Sequence, residues 1–175
     1  KLIKGVADLD KAYKEQLMAE RALEQASKNN PYLTGESVNN LKRFAGELQK
    51  VSNYGDEVTI GLMTQLAAAG RTESEIQSII KASADLAASG TTTFDGAVKN
   101  LNKTYSGLSG ELGEVIPELK TLTAEQMKNG DAVDLIAKKY DGMAASVVDK
   151  SVQIQPPPGH LKEDTADIGA PTAPP

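Results

Sequence analysis

The chain has 175 residues, a net charge of −5 and only 4% aromatic residues, with no tryptophan. It is long enough for one domain with its own core, and burial must rely on aliphatic side chains and alanine. The absence of cysteine excludes disulfides, thiolate metal sites and cysteine nucleophiles. An acidic balance without clustered Lys and Arg argues against direct nucleic-acid binding, and no apolar run approaches the roughly 20 residues that span a bilayer.

Residues 1–30 predict an amphipathic, coiled-coil-like helix that is more exposed than the rest of the chain. Its apolar residues form a thin stripe in a background of Lys, Glu, Gln and Ala. Such a stripe is typical of a loosely docked helix or of one that meets a partner helix, and a solvated face is the alternative interpretation. Asn29, Asn30 and Pro31 end the helix, because the residue before proline is pushed out of the α region. The stripe comprises Leu2, Val6, Leu9, Tyr13, Leu17 and Leu23.

Residues 36–150 predict a compact bundle of short helices, since apolar residues recur there with helical spacing between turn signals. The second helix covers residues 36–51. The third helix begins at Asp56, which we expect to be its N-cap, and ends at Gly70. The predicted inner faces of these two helices comprise Leu41, Phe44, Ala45, Leu48, Val51, Val58, Leu62, Met63, Leu66 and Ala69.

Two further helices follow, each with a threonine start signal. Thr72 and Glu75 have the spacing of a capping box for the fourth helix, which ends at Gly90. One of the three threonines at positions 91–93 caps the fifth helix. The predicted inner faces comprise Ile76, Ile79, Ile80, Ser83, Ala84 and Ala87 in the fourth helix, and Phe94, Ala97, Val98, Leu101 and Tyr105 in the fifth.

Glycines and Pro117 predict short helical turns over residues 106–121. Thr123 and Gln126 form a second capping box, for a short helix that ends at Asn129 and Gly130. Asp131 is the expected N-cap of the last helix. The residues expected to face the core comprise Leu112, Val115, Ile116, Leu119 and Leu122 in the turns, and Val133, Ile136, Ala137, Tyr140, Ala144 and Val147 in the last helix.

Residues 151–175 contain six of the eight prolines. This composition predicts a disordered tail, which serves as a linker or as a docking strand.

No residue pattern indicates a catalytic, cofactor-binding or metal site, so the sequence predicts a protein that is not an enzyme and has no cofactor. The single histidine, His160, lies in the proline-rich tail without a serine or metal-ligand partner at useful spacing. The segment 107–110 is rich in glycine but lacks the signature of a phosphate loop. Three acidic pairs fall in the first turns of predicted helices, where carboxylates complement the helix dipole. These pairs are Asp56 and Glu57, Glu73 and Glu75, and Asp131 and Asp134.

Residues 41–145 resemble the helical core region of phage tail tape measure proteins. The resemblance consists of modest signals in the same order over more than half of the chain. They comprise residues 48–57, 84–87, 122–126, 129–132 and 139–144, together with Ala97, Leu101, Lys103 and Gly107.

The resemblance implies a structural component of a phage or prophage tail. Proteins of this family set tail length, act as the scaffold for tube polymerisation and leave through the tube when DNA is delivered. It also implies tail tube, tail tip and tail assembly chaperone proteins as partners, with self-association as a further option. The implied location is the virion, and the host cytoplasm during assembly. The region has no catalytic residues to carry over.

A protein that measures length needs an extended helix, whereas the glycines and Pro31 divide this chain into short ones. We therefore expect a folded domain within a fragment of a longer structural protein, not the measuring rod itself. A stand-alone helical adaptor or regulatory module with a docking tail is the second hypothesis. An enzyme is the third, and would need residues from another part of a longer chain.

Overall fold

The computed structural model describes residues 2–148, and for residues 2–4 it describes the backbone only. The described part is all-α and contains no strand, which confirms the predicted fold class. The proline-rich tail predicted over residues 151–175 lies outside the described residues. The helices are α1 (Leu2–Lys28), α2 (Gly35–Lys50), α3 (Asp56–Ala68), α4 (Glu73–Ala88), α5 (Phe94–Thr104), α6 (Leu112–Val115), a 3-10 helix (Pro117–Thr121), α7 (Ala124–Lys128), α8 (Asp131–Lys139) and α9 (Met143–Ser146).

Threonines cap four of these helices. Both predicted capping boxes are confirmed: Thr72 accepts from the Glu75 N–H, Thr123 accepts from the Gln126 N–H, and each partner side chain accepts from the threonine N–H in return. Among the three consecutive threonines, Thr93 is the N-cap of α5. Thr34 caps α2 and was not predicted.

Two predicted caps are wrong. Asp56 and Asp131 occupy the first helical position, and the N-caps of α3 and α8 are Gly55 and Gly130. Gly130 has a φ of +93° because it also ends the preceding helix, and this conformation suits glycine. The two carboxylates still lie in the first turn, where they complement the helix dipole.

The core is built around α4, in which residues 82–86 are all buried, whereas Ser74, Ser78 and Lys81 leave one side of the helix exposed. Asp85 and Leu86 are buried as well as the predicted isoleucines, because α2, α3, α5, α8 and α9 all pack against α4. Where helices surround it in this way, α4 needs apolar or paired residues around its whole circumference. Its buried residues are Ile76, Ile79, Ile80, Ala82, Ser83, Ala84, Asp85 and Leu86.

The helices α1 and α3 pack side by side and run in the same direction. Near the middle of α1, the Gln16 amide donates to the Asp56 carboxylate over 3.3 Å, at the first residue of α3. At its end, the Asn30 amide donates to the carbonyl oxygens of Ala67 and Arg71, at 3.0 and 2.9 Å. The second half of α1 therefore joins the core, where Leu23 is fully buried. The predicted boundary near residue 30, between the N-terminal helix and the bundle domain, stays a prediction.

The last predicted helix is in fact two helices. The chain leaves α8 at Tyr140, and Gly142, with a φ of +77°, redirects it into α9. This break brings Ala144 against α4, where it is buried as predicted. It leaves Val147 exposed, although Val147 was predicted to face the core. Val51, Val58, Ala69 and Val115 are exposed as well, so the predicted stripes were too wide at these positions.

A polar and aromatic cluster joins α3 to α5. The Arg71 guanidinium lies 4.4 Å from the centre of the Tyr105 ring, and its Nε donates to the Asn102 side-chain oxygen over 2.7 Å. Burial, together with the charge of Glu75, raises the pKa of Tyr105 to about 12. Where α3 and α5 begin, Tyr54 stacks on Phe94 with 4.2 Å between ring centres.

Candidate interaction surface

The first half of α1 projects beyond the bundle and carries an exposed apolar face. Every side chain from residue 5 to 15 is exposed. Val6, Leu9 and Tyr13, which we call the α1 stripe, are 65%, 72% and 65% exposed. Their spacing of three and four residues places them on one side of the helix. Scattered apolar residues are ordinary on protein surfaces, whereas an aligned set on a projecting helix indicates a contact surface.

The α1 stripe continues the face by which α1 packs on α3. Further along the helix, the same spacing leads through Gln16 and Ala19 to the buried Leu23. The face changes from buried to exposed at Gln16, because α3 begins beside it at Asp56. Among the described residues, no other element covers the first half of α1.

Charged residues occupy the other sides of this projecting segment. Lys14 pairs with Asp10 at 2.6 Å, and Lys11 lies 3.8 Å from Glu15. Exposed pairs four residues apart stabilise a helix only slightly. They leave the α1 stripe free of charge, so the segment has one apolar and one charged side. Such an arrangement suits contact with the apolar face of another helix.

A buried carboxylate in α4 has a structural role. Asp85 is 3% exposed; its Oδ1 accepts from the Ala144 N–H at 2.9 Å, and its Oδ2 lies 3.3 Å from the Lys81 ammonium. Lys81 also donates to Asp141, which raises the pKa of the lysine. Burial and the charge of Asp85 raise the pKa of Tyr54. Both carboxylate oxygens of Asp85 thus have partners, and the Asp85 side chain holds α9 against α4.

The described surface includes two clefts next to these elements. One, of about 220 Å³, is lined by apolar residues of α2, α4 and α9 next to Asp85. The other, of about 440 Å³, lies between the end of α1 and the start of α2, with Leu33 and Val38 in its lining. Ser27 also lines it, and its buried hydroxyl has no hydrogen-bond partner in the structure. Glu24 and Lys28 line the same cleft, and neither forms a hydrogen bond with the Ser27 hydroxyl.

The acidic pairs singled out in the sequence lie in the first turns of α3, α4 and α8, and Glu75 and Asp134, from two of these pairs, both contribute to the raised pKa of Tyr105. The Glu75 carboxylate accepts from the Thr72 N–H at 2.9 Å, as a capping residue does. In the segment 107–110, both glycines have positive φ and lie in a turn. His160 lies outside the described residues.

Sequence reasoning missed Asp85 as a buried contact. The available signal was one acidic residue in the middle of an apolar stretch of the fourth helix. A charged residue at such a position is buried only when it is paired.

The residues between 2 and 148 include no group of three or more His, Cys, Asp or Glu side chains that could hold a metal ion. Within the same range, no helix is both long and apolar enough to cross a bilayer. Comparisons of the chain with family models, curated proteins and solved structures found no match.

Proposed function

We propose that this chain is a structural, non-enzymatic module of a phage or prophage tail tape measure protein, and that it contacts other proteins through the α1 stripe. The observation that carries the interaction role is the projection of Val6, Leu9 and Tyr13 beyond the start of α3. Nothing in the described chain explains an apolar face at that place, whereas a protein contact does.

The assignment to a tape measure protein is supported by the resemblance over residues 41–145. Several of its segments have clear structural roles in the bundle. Residues 122–126 contain the capping box of α7, and residues 139–144 form the bend from α8 to α9. Residues 84–87 contain Asp85, which accepts from the Ala144 N–H. The resemblance therefore falls on residues that determine the fold of this bundle.

In this proposal the module works during tail assembly, length determination and DNA delivery. Its partners are tail tube, tail tip or tail assembly chaperone proteins, and it is present in the host cytoplasm first and in the virion afterwards. An apolar helical face with charged flanks suits a partner that presents a helix of its own. The proposal assigns the chain no reaction and no cofactor.

The test is to look for this chain in purified phage tails. Mass spectrometry of tails from the phage or induced prophage that carries the sequence should detect peptides from residues 2–148. A photo-crosslinker placed at position 9 of the full-length protein should identify the protein that contacts the α1 stripe during assembly. Tails that are complete but contain no peptide of this chain, at any stage of assembly, would exclude the tail role.

The second candidate is a stand-alone helical adaptor, and the α1 stripe supports it equally. The two differ in the genes beside the coding sequence and in the crosslinked partner. Tube and tip genes with a tail protein as partner favour the first function. A short, separate reading frame with a partner unrelated to tails favours the adaptor.

A further inference from the structure

We propose that α9 is a latch that opens while the rest of the bundle stays folded, and that its opening uncovers an apolar groove between α2 and α4. The α9 latch comprises residues 142–147, from the glycine before the helix to its C-cap. This inference goes beyond the proposed function, because it concerns a movement within the bundle and holds whichever protein the chain contacts. It is carried by the small contact area of α9, by the conformation of Gly142 and by the cleft beside the latch.

The α9 latch has little stability of its own. Its helix has four residues, and an isolated helix of this length does not form in water. Ala144 is its only buried residue, whereas Met143 is half-buried and Ala145 and Ser146 are exposed. The latch therefore stays in place through a single buried methyl group and through the polar contacts that it makes with the bundle.

One buried hydrogen bond holds the latch on α4. The Ala144 N–H donates to Asp85 Oδ1 at 2.9 Å, and the other carboxylate oxygen lies 3.3 Å from the Lys81 ammonium. Asp85 and Lys81 both belong to α4, so their ion pair stays intact when the latch leaves. The Ala144 N–H and the freed carboxylate oxygen then bind water, which offsets part of the lost bond. Opening therefore leaves no buried charge without a partner.

The other polar contacts that tie this segment to the bundle are exposed. Just before the latch, the Asp141 carboxylate lies 2.8 Å from the Lys81 ammonium. At its end, the Asn53 amide donates to the Val147 carbonyl oxygen over 3.0 Å. Water competes for both contacts, so each contributes little to the closed form.

Gly142 has the properties of a hinge. Its φ of +77° directs the chain from α8 into α9, and glycine adopts this conformation without strain. A Cβ added there would meet nothing within 4 Å, so no neighbouring atom crowds that side of the residue. Because α8 packs on α4 and α7 with its own residues, a change of φ and ψ at Gly142 moves the latch and leaves α8 in place.

The latch covers the groove between α2 and α4 without filling it. A cleft of about 220 Å³ remains between α2, α4 and α9. Leu48 of α2 is 8% exposed, and Ala84 of α4 is fully buried. When the latch opens, the cleft merges with the space that Ala144 leaves, and both side chains gain contact with solvent. The apolar lining of the cleft comprises Leu48, Val51, Ala84, Ala144 and Ala145.

Opening of the latch should require far less free energy than unfolding of the bundle. A hydrogen bond to a charged group contributes a factor of about 10 to about 150 to an equilibrium constant, and one buried methyl group adds a factor of about 4. The closed form should thus exceed the open form by a factor on the order of 10². Folded domains typically exceed their unfolded forms by a factor of about 10³ to about 10⁸. The latch therefore opens many times for each unfolding of the bundle.

The first experiment is hydrogen exchange of the whole chain, followed by NMR at urea concentrations below the unfolding transition. The Ala144 amide reports on the latch, and the Ile80 amide, within α4, reports on the bundle. Exchange at Ala144 should be slowed by a factor on the order of 10² and should change little with urea, because opening exposes little surface. Exchange at Ile80 should be slower and should accelerate with urea. Equal protection and equal urea dependence at the two amides would overturn the proposal.

A pair of glycine variants separates opening of the latch from unfolding. Gly142 and Gly70 have φ of +77° and +79°, and a methyl group would meet nothing within 4 Å at either position. Gly142→Ala strains only the closed form, because the chain relaxes once the latch opens, so Ala144 should exchange about 5-fold to about 30-fold faster. Gly70→Ala, at the end of α3, strains both forms alike, so it should accelerate exchange at Ile80 and leave Ala144 unchanged. Equal acceleration at Ala144 by the two variants would overturn the proposal.

Uncovering of the groove is tested with single cysteines, since the natural chain has none. Ala84 and Ala97 are both fully buried, the first in α4 beside the latch and the second in α5. Ala84→Cys should react with a thiol reagent at least about tenfold faster than Ala97→Cys. Adding Gly142→Ala should accelerate the reaction of Ala84→Cys, and adding Gly70→Ala should not. Circular dichroism shows whether each variant is folded. Equal rates for the two cysteines, or a rate at position 84 that Gly142→Ala leaves unchanged, would overturn the uncovering of the groove.

Discussion

The Asp85 carboxylate accepts a hydrogen bond from the backbone N–H of Ala144 across 59 positions of sequence, at 2.9 Å and in a buried place. It thereby fixes α9 on α4 at the end of the described chain. Because its other oxygen lies beside Lys81, the contact combines a charged acceptor with a neighbouring cation. Hydrogen bonds to a charged partner are among the stronger ones in proteins.

Replacing this carboxylate should loosen the end of the bundle. Asp85→Ala leaves the buried Ala144 N–H without an acceptor, and we expect a loss of about 1–3 kcal/mol in the free energy of unfolding. Urea denaturation measures this loss, and hydrogen exchange at Ala144 should accelerate. The control is Asp141→Asn, which removes the exposed partner of Lys81 and should cost no more than about 1 kcal/mol. Equal losses in both variants would contradict the assigned role of Asp85.

Asn30 should matter far more than its neighbour Asn29. The Asn30 amide donates to two carbonyls at the end of α3, and its oxygen accepts from the Tyr32 N–H at 2.9 Å. Asn30→Ala removes all three bonds at a buried site, so we expect a loss of about 2–3 kcal/mol in unfolding free energy. The exposed Asn29→Ala should change stability by less than about 0.5 kcal/mol. Similar denaturation midpoints for the two variants would show that the three bonds contribute little.

Substitution of the threonines before α5 should identify its cap. Thr93 accepts from the Gly96 N–H at 3.1 Å, whereas the Thr91 hydroxyl forms a hydrogen bond with the Ser89 hydroxyl at 2.8 Å. We expect Thr93→Ala to lower the unfolding free energy by about 1 kcal/mol and Thr91→Ala by less than half of that. Thermal denaturation followed by circular dichroism compares them. A larger loss for Thr91→Ala would mean that α5 begins earlier than the structure has it.

Stability should fall in strong alkali through Tyr105. The pKa of this phenol is raised to about 12 in the folded chain, above its ordinary value. Folding therefore favours the protonated form, and its contribution is full below the unfolded pKa of roughly 10 and is lost as pH rises toward 12. Other groups also titrate there, so the comparison is between the natural chain and Tyr105→Phe. The variant should lose less stability over this range, as measured by urea midpoints at each pH. Parallel curves for the two proteins would refute the assignment.

The sequence predicted the helices mainly where the determinants are local. The capping boxes at Thr72 and Thr123 depend on residues three positions apart, so they can be read from the chain alone. The turn at Gly70 is of the same kind, because the Arg71 N–H bonds back to the Leu66 carbonyl. These signals need no knowledge of the tertiary packing.

The contacts of Asp85 and Asn30 could not be predicted in this way, because their partners lie far along the chain. The burial of every residue from 82 to 86 in α4 depends on how many helices surround this part of the helix, which periodicity does not encode. The exposure of Leu9 likewise depends on where α3 begins. A thin stripe on α1 was visible in the sequence, whereas the point at which it loses its cover became clear only from the bond between Gln16 and Asp56.

The path of the chain through the bundle determines how much length this module can contribute to an extended protein. The side-chain amide of Asn53, close to the start of α3, donates to the Val147 carbonyl oxygen over 3.0 Å. The described chain thus ends at the same pole from which α1 projects. A continuous helix of residues 2–148 would measure roughly 220 Å, whereas here the folded chain returns to the pole from which α1 projects. In a protein that sets tail length, this fold would form a side lobe and add little to the length of the extended chain. Deleting the fold should therefore shorten a tail far less than its number of residues suggests.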